Sequence, residues 1–165
     1  MLAAVEPRPG TYVLVVSARA NRLVRVGRLG RLRLQSGFYV YVGSAFGSGG
    51  VRVRLMHHSQ PSHRPHWHVD YLRRHTSLEE VWYCHDRVSR EHEWTRCLGI
   101  QLGASIPLAG FGASDCQCES HLYFFKSRPS RNAFVRCLRT AGSTLGGYGS
   151  GMRVRRWDEG LRYSI

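Results

Sequence analysis

The sequence predicts an α/β domain, a small and mainly antiparallel sheet flanked by short helices. Three observations predict it. Val13-Leu14-Val15-Val16, residues 37–43, Val81-Trp82-Tyr83-Cys84 and Leu122-Tyr123-Phe124-Phe125 are short apolar runs rich in β-branched and aromatic residues, and read as strands. The intervening segments 51–58, 67–75 and 89–98 have helical character. Glycine, serine and proline gather in the joints, as at 44–50 and 59–65.

In chain order, Gly10-Thr11-Tyr12 leads into the first strand. Residues 22–34 mix arginines with aliphatics around Gly27 and Gly30, with the clearest alternation at Arg31-Leu32-Arg33-Leu34. That pattern predicts one or two strands with an arginine-bearing face, turned at the glycines. Gly37-Phe38-Tyr39-Val40-Tyr41-Val42-Gly43 is the strongest strand signal of the chain. A Gly/Ser loop follows and runs into a short helix over 51–58. A loop with two prolines separates it from a helix over 67–75, with Trp67, Tyr71 and Leu72 to one side. After the strand at 78–85, Ser89 is expected to cap a helix reaching about Leu98, with Glu91 and Glu93 near its positive end. A glycine-rich stretch, 99–112, precedes the strand at 122–125. Beyond Lys126 the character changes. Residues 131–140 suit one short helix with Phe134, Cys137 and Leu138 on a face, and 141–151 read as flexible linker. The expected organisation is therefore a domain over 8–126 and a basic extension over 127–165.

Charge points to a class of partner. The chain has 24 Lys+Arg against 11 Asp+Glu, a net charge of +13. Residues 127–165 hold eight basic and two acidic residues, so the extension is the denser part. A field of this sign draws polyanions and makes their binding salt-dependent. No apolar run approaches the roughly 20 residues of a membrane span, so no membrane partner is expected. The N-terminus lacks a basic patch followed by an apolar stretch, and the protein reads as cytoplasmic. Five cysteines, an odd number, argue for reduced thiols or a metal site rather than a disulfide framework.

The chemistry-bearing residues come as separated signals in one order. Gly10-Thr11-Tyr12 starts a strand, and Tyr41-Val42-Gly43 ends one. A glycine-rich turn then leads to a helix with Arg54 and His58, and a later helix carries Glu93. This order resembles the GIY-YIG nuclease superfamily: Gly-Ile-Tyr, Tyr-Ile-Gly, a helical arginine and a metal-binding glutamate. Residues 10–125 further resemble a branch found both as a separate small protein and fused to a DNA-repair glycosylase. The phrases that carry this likeness are Val26-Gly27-Arg28-Leu29-Gly30, Tyr39-Val40-Tyr41-Val42-Gly43-Ser44-Ala45, His66-Trp67-His68-Val69-Asp70-Tyr71-Leu72 and Gly110-Phe111-Gly112-Ala113-Ser114-Asp115-Cys116. Thr11 and Val42 replace the motif isoleucines. The superfamily's usual late asparagine near the active site has no obvious counterpart here, with Asp115 or His121 as stand-ins.

The resemblance implies a metal-dependent endonuclease acting on nucleic acid, DNA ahead of RNA, with a DNA-repair enzyme as protein partner. Tyr12 would assist deprotonation of the attacking water, and Tyr41 would orient water or phosphate beside it. Arg54 would bind the scissile phosphate, and Glu93 would hold one Mg²⁺ or Mn²⁺. A tyrosine base needs nearby positive charge, because its free pKa is about 10. Arg52 competes with Arg54, which is preferred because His58 follows one turn later. Glu91 competes with Glu93. Both tyrosines also have an ordinary reading as sheet packing. Arg28, Arg31, Arg33 and Arg52 are the expected nucleic-acid contacts, and Gly10 and Gly43 are expected to serve tight turns.

Five histidines, His57, His58, His63, His66 and His68, fall within a dozen residues. His68, two residues before Asp70, is the first choice among them as general acid or phosphate donor. Cys116, Cys118 and His121 lie within six residues and offer three zinc ligands, with Cys84 or His85 to complete a tetrahedron. The other reading is a polar turn that places Asp115 and His121 beside the substrate groove. Two further functions stay open: a nucleic-acid-binding module without cleavage, and a zinc-stabilised interaction domain.

Overall fold

The computed structural model describes residues 5–142 and 153–156. Its centre is a five-stranded antiparallel sheet in the order β6-β4-β1-β5-β7, formed by β1 (Gly10–Ala18), β4 (Gly37–Ala45), β5 (Ser77–His85), β6 (Leu122–Phe125) and β7 (Arg153–Arg156). A separate hairpin pairs β2 (Arg22–Val26) with β3 (Gly30–Leu34) and turns at Gly27, whose φ of 49° lies in the left-handed region open to glycine. The helices are α1 (Gly50–Ser59), α2 (His68–Arg73), α3 (Glu91–Gly99) and α4 (Arg131–Gly142). The fold class is as expected from the sequence. Among the described residues no helix is long and apolar enough to cross a membrane.

The central run Tyr12-Val13-Leu14-Val15-Val16 does not alternate in polarity because the sheet is covered on both faces. Tyr12, Leu14 and Val16 enter one core with Tyr39, Tyr41, Leu55 and Leu72. Val13 and Val15 enter the other with Val40, Val42, Trp82, Trp94 and Phe134. The hairpin and α1–α2 cover the first face, and α3–α4 the second.

Register sets the positions of the two motif tyrosines. Tyr12 pairs with Gly43, and Leu14 pairs with Tyr41, so both phenols lie on the same face as diagonal neighbours. Gly10 and Gly43 are not turn residues. Both lie inside strands without positive φ, and what they supply is space. A Cβ on Gly43 would come 2.5 Å from the Tyr12 ring, and one on Gly10 would strike the Cys84 carbonyl oxygen.

Three expectations change. Ser89 does not cap α3; Arg90 holds that position, and its backbone N–H donates to Thr11 Oγ1 at 2.9 Å, tying the helix start to β1. Cys97 and Cys137 form a disulfide that links α3 to α4, so two of the five cysteines are not free thiols. The extension expected after residue 126 is no detached tail where it is described: Phe134 is fully buried and stacks on Trp82 at 5.3 Å, and β7 pairs with β5. The linker expected at 141–151 lies outside the described residues apart from Ala141 and Gly142, which end α4.

Candidate active site and metal-binding cluster

α1 presents Val51, Leu55 and His58 to the core, at the spacing of one helix face. His58 therefore arrives buried against β1, where its Nε2 lies 3.0 Å from the Tyr12 hydroxyl. Its Nδ1 lies 3.5 Å from Asp70 Oδ1, a charge contact at the edge of hydrogen-bond range. Asp70 is itself fixed by α2. The His66 and Trp67 backbone N–H groups donate to Oδ2, and His57 Nε2 lies 2.9 Å from Oδ1. Burial acts to raise the Asp70 carboxyl, but the bonds from His58, the two backbone groups and His57 outweigh it and hold the acid well below the usual carboxylate range. Burial lowers His58 below its ordinary 6.5 against the pull of Asp70, so the ring is neutral near pH 7 and can accept the Tyr12 proton at Nε2.

Burial pushes the Tyr12 hydroxyl well above the ordinary tyrosine value, with Tyr41 adding to the rise and Arg54 opposing it. Burial and Glu91 raise Tyr41 likewise, again against Arg54. Neither phenol is ionised at rest. Any proton that Tyr12 takes must be matched by one it gives up, and His58 is the acceptor in contact.

Tyr12 and Tyr41 open on a groove of about 290 Å³ that is also lined by Arg54, Glu91, Asp115 and His121. Arg54 is the Lys/Arg cation of that lining, and its guanidinium lies 4.1 Å from the centre of the Trp67 ring. Arg52 is not among the lining residues. Glu91 Oε2 accepts from Ser44 Oγ at 3.1 Å. Its Oε1 lies 3.2 Å from His121 Nδ1, a buried nitrogen without an aligned hydrogen bond.

The structure separates the two competing glutamates. Residues two apart on a helix project about 200° from one another. Glu91 lies in the groove, whereas Glu93 does not line it and lies towards Cys84 of β5, whose thiol is raised by burial first and only slightly by this carboxylate. Of the two competing glutamates, it is Glu91 and not Glu93 that the structure places with Tyr12, Tyr41 and Arg54. His68 is not among the groove residues either. Its Nδ1 accepts the Gly112 backbone N–H at 3.0 Å, outside the groove lining, so it anchors a loop. Gly112 has φ 72°, and a Cβ there would meet the Tyr41 ring at 2.8 Å. Arg28, Arg31 and Arg33 are exposed on the hairpin, and Arg31 stands opposite Arg25. Two like charges directly opposite weaken a ribbon.

The loop between α3 and β6 closes the other wall. Phe111 is its buried anchor, His121 N–H donates to the Phe111 carbonyl at 2.8 Å, and Gly110 N–H donates to that of Glu119 at 2.7 Å. This closure brings Cys116, Cys118 and His121 up to His92 of α3. His92 Nδ1 lies 3.0 Å from Cys118 Sγ, and His121 Nε2 lies 3.2 Å from Cys116 Sγ. Burial and the neighbouring Cys116 push the Cys118 thiol up to about 11. Cys84 and His85, expected as fourth ligands, are not part of this cluster; His92 takes the place. Nothing local in the sequence marks His92, which is 24 residues from Cys116. Trp67 and Ser44 were also missed, because their roles arise from contacts across elements.

These features define an antiparallel α/β domain whose groove joins a Tyr–His–Asp cluster of polar contacts to a His/Cys cluster. The chain belongs to the family described as Domain of unknown function DUF123, whose model matches residues 11–146. That span contains every groove residue named above. No curated protein and no solved structure matches the chain.

Proposed function

We propose that this domain hydrolyses phosphodiester bonds in nucleic acid, in the manner implied by its resemblance to GIY-YIG nucleases. One observation carries the reading. Tyr12, Tyr41, Arg54 and Glu91 come from β1, β4, α1 and α3 and meet in one groove. Packing alone accounts for buried tyrosines, but not for a cation and a carboxylate facing them across an open cleft.

In this reading Arg54 receives the phosphate, with the Trp67 ring limiting the guanidinium's freedom. Two of its N–H groups can meet two phosphoryl oxygens. Water attacks phosphorus from the Tyr12 side. Its proton passes to the Tyr12 oxygen as the Tyr12 proton passes to His58 Nε2, and Asp70 stabilises the resulting imidazolium. The bond to the leaving oxygen breaks, and that oxygen regains a proton from solvent in the open groove. Tyr41 lies beside Tyr12, with ring centres 6.5 Å apart, and orients water or phosphate. Glu91 fits a hard cation, because it is a groove carboxylate with lone pairs left beyond its Ser44 contact, and Asp115 stands on the same lining. Mg²⁺ or Mn²⁺ held there would supply charge neutralisation at the phosphoryl oxygens. The exposed arginines of the hairpin, Arg31 opposite Arg25 above all, tolerate mutual repulsion that a polyanion would relieve.

The test is a panel of flap, fork, bubble, abasic and plain duplex DNAs, with single strands and RNA, incubated with Mg²⁺ or Mn²⁺. Cleavage of at least one substrate is expected. Arg54→Ala should slow it about a hundredfold, the scale of losing one preorganised charge-stabilising donor. Salt-dependent binding without cleavage of any substrate would replace this reading by a non-catalytic nucleic-acid-binding module.

A further inference from the structure

We propose that His92, Cys116, Cys118 and His121 form a tetrahedral zinc site that locks the loop between α3 and β6 to the first turn of α3 and orients Glu91.

The donor set is the first argument. Two thiols and two imidazoles are the soft and borderline ligands that select Zn²⁺, and two thiolates neutralise its charge. Geometry is the second. One ligand atom from each residue lies within 4.8 Å of every other. Zn–S and Zn–N bonds of about 2.3 and 2.0–2.1 Å make the edges of a tetrahedron about 3.3–3.8 Å. The sulfur–nitrogen contacts of 3.0 and 3.2 Å need only a few tenths of an ångström of expansion to become such edges. All four positions are filled by protein, which is the pattern of a structural rather than a catalytic ion.

The surroundings are the third argument. His121 is 2% exposed, faces Cys116 with Nε2 and holds Nδ1 3.2 Å from Glu91 Oε1 without an aligned hydrogen bond. A zinc-bound imidazole carries its proton on the other nitrogen and commonly directs it to a carboxylate. With Nε2 on the metal, Nδ1–H would be donated to Glu91, and the orphaned nitrogen gains its partner. The other cluster of this kind, His57, His58 and Asp70, also holds an unaligned nitrogen, His58 Nδ1, but it has no thiol, offers only three ligands, and its Asp70 already receives His57 and two backbone N–H groups. The zinc site stands on these observations alone; only its effect on Glu91 acquires meaning through the nuclease reading.

The experiment uses the full chain, untagged and purified without chelator. Elemental analysis should give one zinc per chain. Cobalt(II) exchanged into the site should give the intense visible bands of a tetrahedral ion and a sulfur-to-metal charge-transfer band. The Cys116→Ser/Cys118→Ser double variant should lose both, while Cys84→Ser keeps both. X-ray absorption on the wild-type zinc protein should show two sulfur and two nitrogen neighbours, a readout that survives even where the double variant fails to fold. Zinc well below one per chain together with no cobalt–thiolate band, or zinc retained by a folded double variant, overturns the proposal. None of these readouts involves cleavage, so loss of the nuclease reading leaves the zinc result standing, and the reverse.

Discussion

The two walls of the groove are held in different ways. On the α1–α2 side, Tyr12, His58 and Asp70 form a buried chain of polar contacts, with Asp70 anchored by two backbone N–H groups. On the other side, the loop brings two thiols and two imidazoles together but leaves His121 Nδ1 without an aligned partner. The first wall also leaves one ring nitrogen, His58 Nδ1, without an aligned hydrogen bond, but the Asp70 it faces is already held by His57 and two backbone N–H groups. The second is arranged like a coordination sphere. Burial of polar groups is offset by hydrogen bonds on the first wall, and under the zinc proposal a cation would offset it on the second. The walls should therefore respond to different perturbations.

The largest effect expected is on stability. Stripping zinc with a strong chelator should destabilise the protein by about 4 kcal/mol, because an ion bound to the native state alone stabilises it by linkage. For a chain of this size that is a fall of about 8–16 °C in Tm, measurable by calorimetry and reversed by added zinc. A chelator that leaves Tm unchanged would mean that the second wall is as self-sufficient as the first.

Next in size is the contrast between two neighbouring glutamates. Glu91→Gln should cut cleavage by about a thousandfold while leaving DNA binding within a few-fold. Glu93→Gln should cut at close to the wild-type rate. Equal losses in the two variants, measured under single turnover, would remove the carboxylate from the mechanism.

Acid should act on the first wall. The folded pKa of His58 lies below its ordinary 6.5, so its contribution to stability is full above 6.5 and is lost as pH falls from there towards the folded value. The slope approaches about 1.4 kcal/mol per pH unit for one proton. Asp70 acts in the same sense lower down, between its ordinary 3.8 and its depressed folded value. Denaturant midpoints across this range should fall with acid, and His58→Gln should flatten the upper part of the curve. A curve of unchanged shape in that variant would assign the titration elsewhere.

The smallest effect concerns the hairpin. Arg31→Ala and Arg33→Ala should each reduce the slope of log affinity against log salt by about one, with little change in stability because both side chains are exposed. Truncation at residue 127 is the wrong tool for this question, since it would remove Phe134 from the core and break the Cys97–Cys137 link.

Read as a sequence, the chain already determined its local structure. The β-branched run Val13 to Val16 read as a buried strand. The helix after the glycine loop put Arg54 and His58 on one side because residues four apart share a helix face. The short spacing of Cys116, Cys118 and His121 offered three candidate ligands, with a polar turn as the other reading. What tertiary structure decided was each case in which the partner lies far along the chain. The choice of Glu91 over Glu93 depends on the rotation of α3, which is set by burying Trp94 and Leu98 against the sheet. That same rotation brings His92 to the cysteines. Asp70 became a hub, and His68 a loop anchor, only when α2 settled beside α1 and Gly112. Local spacing is written in backbone geometry, with periods of two and 3.6 residues. Sheet register and helix rotation are set by packing the whole core, so no short segment carries them.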